Sequence, residues 1–177
     1  IIGNGSSFEN SDDKLSLSSL EQSLTMQRSL NIKPETEPGA TDEIIREKLF
    51  NHPQKDYWHQ KMMWYGPCGI GTARGLMGFI NHHQLPFRKT FKERNYWKLG
   101  HYVELGDGPY SMTAGWHTIE AIHGSRDWLG YEATKKPVTM RVMDFYLHDE
   151  GLIRENWVPI DIMHILKQIG IDVLELI

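Results

Sequence analysis

The chain changes pattern near Pro86, from helices before it to a run of strands after it. Four strands follow in succession, each closed by a turn. Residues 96–105 end at Gly106-Asp107-Gly108-Pro109, and residues 110–123 form a long strand with Gly115 as a candidate bulge. Residues 138–148 follow the Thr134-Lys135-Lys136-Pro137 turn, and residues 152–159 follow Asp149-Glu150-Gly151. Ahead of them, Thr41 caps a short helix whose apolar side is Ile44, Ile45, Leu49 and Phe50, ended by Asn51-His52-Pro53. Met62-Met63-Trp64-Tyr65 reads as a short buried strand, and residues 76–85 as a helix that stops near Pro86. A last helix over 161–169 ends at Gly170, a natural left-handed C-cap. Helices first and antiparallel strands after them read as an α+β fold. A twisted sheet wrapped around those helices would form an open cone with an interior.

Aromatic residues set the expected domain division. Residues 1–49 hold one, Phe8, and the stretch from Phe50 onward holds the other eighteen. A core follows the aromatics, because each buries a large apolar area. The first 40 residues also carry six acids against three bases, several serines and a Pro34…Pro38-Gly39 breaker. Residues 1–40 therefore read as an N-terminal arm, or the tail of a preceding unit, and 41–177 as the main domain. The arm holds one loosely amphipathic helix over 12–30, through Leu15, Leu17, Leu20, Leu24 and Met26, and is expected to pack on a partner or neighbouring domain. The chain opens on Ile1 without an initiator Met, which points to a trimmed start.

Charge and cysteine content narrow the partners. Nineteen Lys+Arg against 23 Asp+Glu leave a net charge of -4, with no positive excess to call for nucleic acid or an acidic membrane. No apolar run is long enough to span a bilayer, and the first residues do not form a secretion signal, so the cytoplasm is the expected compartment. A single cysteine, Cys68, excludes a disulfide framework and a multi-thiolate zinc site. Gly69-Ile70-Gly71-Thr72-Ala73-Arg74-Gly75 has glycines one residue too far apart for a dinucleotide fingerprint and reads as a loop joining strand to helix. Arg88, Lys89, Lys92, Arg94 and Lys98 interleave with Phe91, Tyr96 and Trp97, which reads as a solvated corner in an acidic chain. His82 and His83 are helix neighbours and point apart, so no metal pair is expected from them.

The last hairpin is the most informative stretch. A three-residue Asp149-Glu150-Gly151 turn would pair His148 with Leu152, Asp144 with Asn156, and Val142 with Val158. Met140, Val142, Asp144, Tyr146, Asn156 and Val158 then share one face, and Arg141, Met143, Phe145, Glu155 and Trp157 the other. A carboxylate among apolar side chains is pushed toward its neutral form, which poises it as a base near neutral pH. The same residues also allow Asp144 a purely structural hydrogen bond to Asn156.

The stretch Trp128-Leu129-Gly130-Tyr131, then Pro137-Val138-Thr139-Met140-Arg141-Val142-Met143-Asp144-Phe145-Tyr146, then Glu155-Asn156-Trp157-Val158-Pro159-Ile160-Asp161 and Leu166-Lys167-Gln168-Ile169-Gly170 resembles the SnoaL-like polyketide cyclase, or ester cyclase, family. Upstream, Trp64-Tyr65-Gly66-Pro67, Ile70-Gly71, Arg74-Gly75 and Gly78-Phe79 are similar to its early strand, loop and helix. The resemblance covers residues 41–174. It implies the nuclear transport factor 2-like α+β cone, with a curved antiparallel sheet wrapped around N-terminal helices and a deep internal pocket. It also implies a cofactor-independent aldol cyclisation, isomerisation or dehydration, in which a carboxylate takes a proton from carbon flanked by carbonyls. Matched by the turn, the family's acid/base aspartate falls on Val158, and its pocket histidines fall on Asp144 and Asn156. Asp144 is then the expected base, with His123 and His117 as carbonyl-polarising or relay groups. Trp64, Tyr65, Trp116, Tyr146, Asn156 and Val158 are the expected substrate wall, and Asp161 stands at the mouth, where it also suits an N-cap. The expected partner is an apolar or aromatic small molecule, with neither metal nor coenzyme, and a homodimer through Arg141, Met143, Phe145, Glu155 and Trp157. A non-catalytic pocket protein or assembly module on the same cone stays open as the alternative.

Overall fold

The protein's structure, a computed structural model, describes residues 11–96 and 100–176. Two thirteen-residue strands, β5 (Tyr110–Ile122) and β6 (Pro137–Asp149), form its spine. From β6 the sheet continues through β7 (Leu152–Trp157), β1 (Trp58–Tyr65) and β2 (Thr72–Arg74). β3 (Asn95–Tyr96) and β4 (Val103–Asp107) share the other edge of β5. The strand expected over 96–105 is thus two short pieces, and residues 97–99 lie outside the described residues. Every pairing is antiparallel except β1 with β7, which is parallel. Parallel neighbours need a long crossover, and residues 66–151 lie between these two.

The β6–β7 hairpin turns on two residues, not three. Asp149 pairs with Leu152, and Glu150 and Gly151 take φ of 51° and 77°. That left-handed pair matches the twist of the flanking strands. Arg154 then stands as an extra residue between the pairs His148–Ile153 and Leu147–Glu155. The shorter turn and the bulge each shift register by one. Asn156 therefore lies opposite Tyr146, not Asp144, and Val142 bridges Ile160, not Val158. A shift of two keeps every side chain on its expected face.

Residues 11–40 pack on this cone, contrary to their reading as a separate arm. α1 (Ser11–Ser29) lies against β4 and β5, and Met26 is 2 % exposed within the core. At Gly106 a Cβ would fall 2.6 Å from the Ser16 carbonyl oxygen, so the helix rests directly on the strand backbone. Ser23 Oγ lies 2.7 Å from Ser111 Oγ and 3.0 Å from His148 Nε2, all buried. α1 docks by small residues and hydrogen bonds, which an aromatic count does not register.

α2 (Asp42–Phe50) is capped by Thr41 Oγ1, which accepts from the Ile44 amide at 3.3 Å. α5 (Ile162–Ile169) starts at Asp161 and ends at Gly170, φ 102°. The helix expected to stop near Pro86 continues. α3 (Gly75–Phe79), a π-helical turn (Ile80–Gln84) and α4 (Leu85–Thr90) run on as one rod. Pro86 sits just past the π turn, where the hydrogen-bond ladder changes pitch and a missing N–H does least harm. Between α4 and the chain after α1 lies a buried ion cluster. The Glu35 carboxylate is 2.6 Å from Arg94 and 3.5 Å from Arg88, with all three side chains 4 % exposed or less. Arg88 also donates to the Leu30 and Ile32 carbonyls, which ties the chain after α1 to the rod. Glu35→Gln would leave two buried guanidinium groups facing a neutral amide. A stability loss of about 3–5 kcal/mol is expected in urea unfolding; a loss within experimental error would show that the cluster does not depend on the carboxylate.

Candidate functional site

The concave sheet face, α1 and the α3–α4 rod enclose a cavity of about 410 Å³. One wall is aromatic. Trp58 and Trp64 from β1 meet Phe79, His83 and Phe87 from the rod, with Trp64 and His83 stacked at 4.1 Å. Gly66 is required beside them, because a Cβ there would fall 2.3 Å from the Trp64 ring. The π turn carries His83 into this stack, where His83 Nδ1 is buried without a hydrogen-bond partner. Burial, then the Arg88 charge, lowers the His83 pKa to about 3, so the ring is neutral at ordinary pH.

The opposite end is polar. Asp144 and Tyr146 come from β6, Asn156 from β7, Thr113 from β5 and His101 from the segment before β4. The Asp144 side chain is 14 % exposed. Its Oδ1 accepts from Asn156 Nδ2 at 3.2 Å, and its Oδ2 stands 3.6 Å from His101 Nδ1. Tyr146, two residues along β6, lines the cavity on the same inner face. Burial raises the Asp144 pKa, and the charge of His101 and the hydrogen bonds from Asn156 and Tyr146 pull it back only in part. Burial and the neighbouring Asp144 charge hold the Tyr146 hydroxyl well above its usual value. This is a carboxylate with a raised pKa, among the polar residues of a largely apolar chamber.

Of the residues expected from sequence, Asp144, Trp64, Tyr146, Asn156 and Val158 line the cavity. The other five stand elsewhere, each for a physical reason. Tyr65 follows Trp64 on one strand, so it points to the outer face, where it stacks on Trp157 at 5.8 Å. Trp116 pairs with Arg141 on that same outer face and is 59 % exposed. His117 falls in a two-residue bulge of β5 between the pairs Trp116–Arg141 and Ile119–Met140, and meets Glu120 at 3.3 Å. His123 has the inward parity but lies beyond the end of β5, buried against Phe91, with Nδ1 3.1 Å from Thr134 Oγ1. Asp161 caps α5 through the His164 amide and pairs with Arg141 at 3.2 Å. His101, His83 and Gln27 line the cavity without having been singled out. No spacing rule marks a loop histidine or one glutamine on a serine-rich helix. Among the described residues no cluster of His, Cys, Asp or Glu is placed to hold a metal ion, and no helix is long and apolar enough to cross a membrane.

Known structures share this architecture. A protein from Jannaschia designated a SnoaL-like polyketide cyclase superposes with a TM-score of 0.63 at 11 % identity, over 88 % of this chain and 94 % of its own. AclR from Streptomyces galilaeus, designated a hydroxylase, gives 0.61 at 13 %, over 88 % and 86 %. A nuclear transport factor 2-like protein from Burkholderia xenovorans gives 0.57 at 9 %, over 85 % and 98 %. No protein-family model and no curated protein matches the sequence. At these identities the likeness establishes the fold, the α+β cone of nuclear transport factor 2-like proteins, and different chemistries are hosted on it.

Two histidines whose pKa burial lowers far below the usual value, His83 and His148, give the protein a pH signature. His83 and His148 would take up protons near pH 6.5 once unfolded, whereas burial lowers them to about 3 and about 4 in the fold. Below pH 6.5 the unfolded state binds more protons, so these groups cost stability progressively as pH falls toward 4. The urea midpoint should drop between pH 7 and pH 5, and less steeply in His148→Gln. Equal slopes in the two proteins would mean that His148 is not held neutral.

Proposed function

We propose that the protein is a cofactor-independent acid/base enzyme acting on a flat, apolar, carbonyl-bearing small molecule, with Asp144 as the proton acceptor. The observation that carries this reading is the buried Asp144 carboxylate, raised in pKa and opening on a cavity whose far wall is aromatic. Asn156 occupies Oδ1, so Oδ2 is the oxygen that would receive a proton from carbon next to the substrate carbonyl. The electron pair left behind would move onto the carbonyl oxygen as an enolate. Neutral His83, on the opposite wall, suits polarisation of that oxygen better than His117 or His123, which lie away from the cavity. The resulting enolate can close a ring in an aldol step, shift a double bond or expel water. A polyketide-like substrate is favoured because several structures of this fold are designated polyketide cyclases. We keep the cytoplasm as the proposed compartment, on the free thiol of Cys68.

One observation favours the alternative of a binding protein without catalysis. The position matched to the cyclases' acid/base aspartate is Val158, an apolar side chain that is 6 % exposed. A probe separates the two. 2-Tetralone is flat and carries exchangeable hydrogens beside its carbonyl. The protein should speed their exchange for deuterium in D2O, followed by NMR, and Asp144→Asn should lose about 10²–10⁴-fold of that acceleration with the fold intact. Equal acceleration in Asp144→Asn removes the assignment; binding of 2-tetralone without acceleration favours the carrier.

We also propose that a second copy covers the outer sheet face. Phe145 and Trp116 are 38 % and 59 % exposed there, beside the Tyr65–Trp157 stack. A monomer rarely leaves such an apolar band in water. Light scattering after gel filtration should give twice the chain mass, and Phe145→Lys should give the chain mass alone. A monomeric unaltered protein rules the pairing out.

A further inference from the structure

α1 reaches the polar end of the cavity through one side chain. Gln27 Nε2 lies 2.6 Å from Tyr146 Oη and 2.6 Å from Thr113 Oγ1. Thr113 Oγ1 is in turn 2.9 Å from His101 Nδ1, which stands 3.6 Å from Asp144 Oδ2, and Tyr146 lines the cavity two residues from Asp144 on the inner face of β6. The helix therefore touches both routes that lead to the carboxylate, one through a tyrosine and one through a threonine and a histidine.

We propose that Gln27 is a positioning residue: its amide holds the Tyr146 hydroxyl as a hydrogen-bond donor to Asp144. The proposal rests on the reading of Asp144 as proton acceptor and adds to it a control supplied by α1.

The polarity of the chain follows from what each group can offer. An amide nitrogen carries two hydrogens and no lone pair for bonding, and here it has two hydroxyl oxygens as neighbours. Gln27 donates one hydrogen to each. Tyr146 Oη has then accepted from α1 and keeps its own hydrogen for another acceptor. The strongest acceptor beside it is the Asp144 carboxylate, which has no hydrogen to give when ionised. Turning the amide over would aim its oxygen at both hydroxyls. Both hydroxyl hydrogens would swing toward α1, and a Tyr146 lone pair would be left against the carboxylate. Only the first arrangement gives every oxygen a hydrogen. Tyr146 is 1 % exposed, so its hydroxyl has little access to bulk water. A hydroxyl that accepts one hydrogen bond also donates more strongly.

The test reads Asp144 directly, in the full chain and with no substrate present. The side-chain carboxyl of Asp144 is followed by 13C NMR against pH, assigned by its loss in Asp144→Asn. Gln27→Met, close in size but without a donor, should raise the Asp144 midpoint by about half a pH unit or more, roughly a threefold change in proton affinity. Tyr146→Phe should raise it at least as far. Combining the two should add nothing beyond Tyr146→Phe alone, because Gln27 acts through the hydroxyl. An unmoved midpoint in Gln27→Met, or full additivity of the two changes, overturns the proposal. A purely structural role for Gln27 would alter stability and leave the midpoint alone. Should the methionine chain not fold, the unaltered protein decides. Gln27 amide hydrogens must then show nuclear Overhauser contacts to the Tyr146 ring and the Thr113 methyl, and their absence counts against the proposal. Failure of the exchange assay would remove the catalytic reading of Asp144 and leave this titration result as it stands.

Discussion

Alternation along β6 governs both faces of this protein. Asp144 and Tyr146 point into the cone because Phe145 between them points out, and the same rule sends Val142 and Met140 inward and Met143 and Arg141 outward. Side chains alternate between the two faces of the sheet, so a carboxylate on the inner parity of β6 faces the cavity. The cost of holding it there is met by neighbours on adjacent strands and on α1, not by a counter-charge of full strength. Asn156 donates to it, and the imidazole of His101 stands 3.6 Å off. A guanidinium in that place would have lowered the pKa and ended any use as a base near neutral pH. Arg88, at the cavity edge, and the buried Arg94 are instead paired with Glu35, whose single charge the two guanidinium groups share.

Parity also explains what could be read in advance. Asp144, Tyr146, Asn156 and Val158 were grouped on one face from spacing alone, and they line one cavity although the turn is a residue shorter than expected and a bulge intervenes. Two single shifts restore the parity, so the face was legible where the partner of each residue was not. Tyr65 was legible too, since a strand cannot send both Trp64 and Tyr65 inward. His117 was not: a two-residue bulge in β5 leaves the strand's overall parity unchanged and hides from any count of alternating residues. Pro86 misled because proline normally ends a helix, and nothing in Ile80–Gln84 announces a π turn ahead of it. α1 was placed outside the core for want of aromatics, yet serines and one methionine dock it, since a helix lying against Gly106 needs small side chains.

On the proposed reading, the aromatic and polar parts of the cavity lining would hold different parts of a substrate. The aromatic end offers large flat surfaces and one neutral imidazole, which favours a planar apolar body without drawing a charge into the cone. The polar end offers hydrogen-bonding groups that already satisfy one another. A ligand entering it must either leave that network intact and present only a C–H to Asp144, or displace part of it with groups that match. The first is the cheaper course for a molecule whose polarity lies in carbonyl groups, which can accept hydrogen bonds but give none.

Moving the carboxylate from the position of Val158 to that of Asp144 changes more than an address. Val158 follows β7, beside β1 and the aromatic wall, whereas Asp144 lies next to Thr113 on β5, the strand that α1 covers. On the proposed reading, a base on β6 stands within one hydroxyl of the N-terminal helix, and the reacting carbon of a substrate would approach α1. Gln27 is then no longer remote from the chemistry, and the helix that lacks aromatics becomes part of the site's polar floor. The serines of α1 fit the same requirement. A helix bonded by Ser23 to Ser111 and His148 sits at a set height above the sheet, and that height decides whether the Gln27 amide, about one helical turn along, can reach a tyrosine hydroxyl at 2.6 Å.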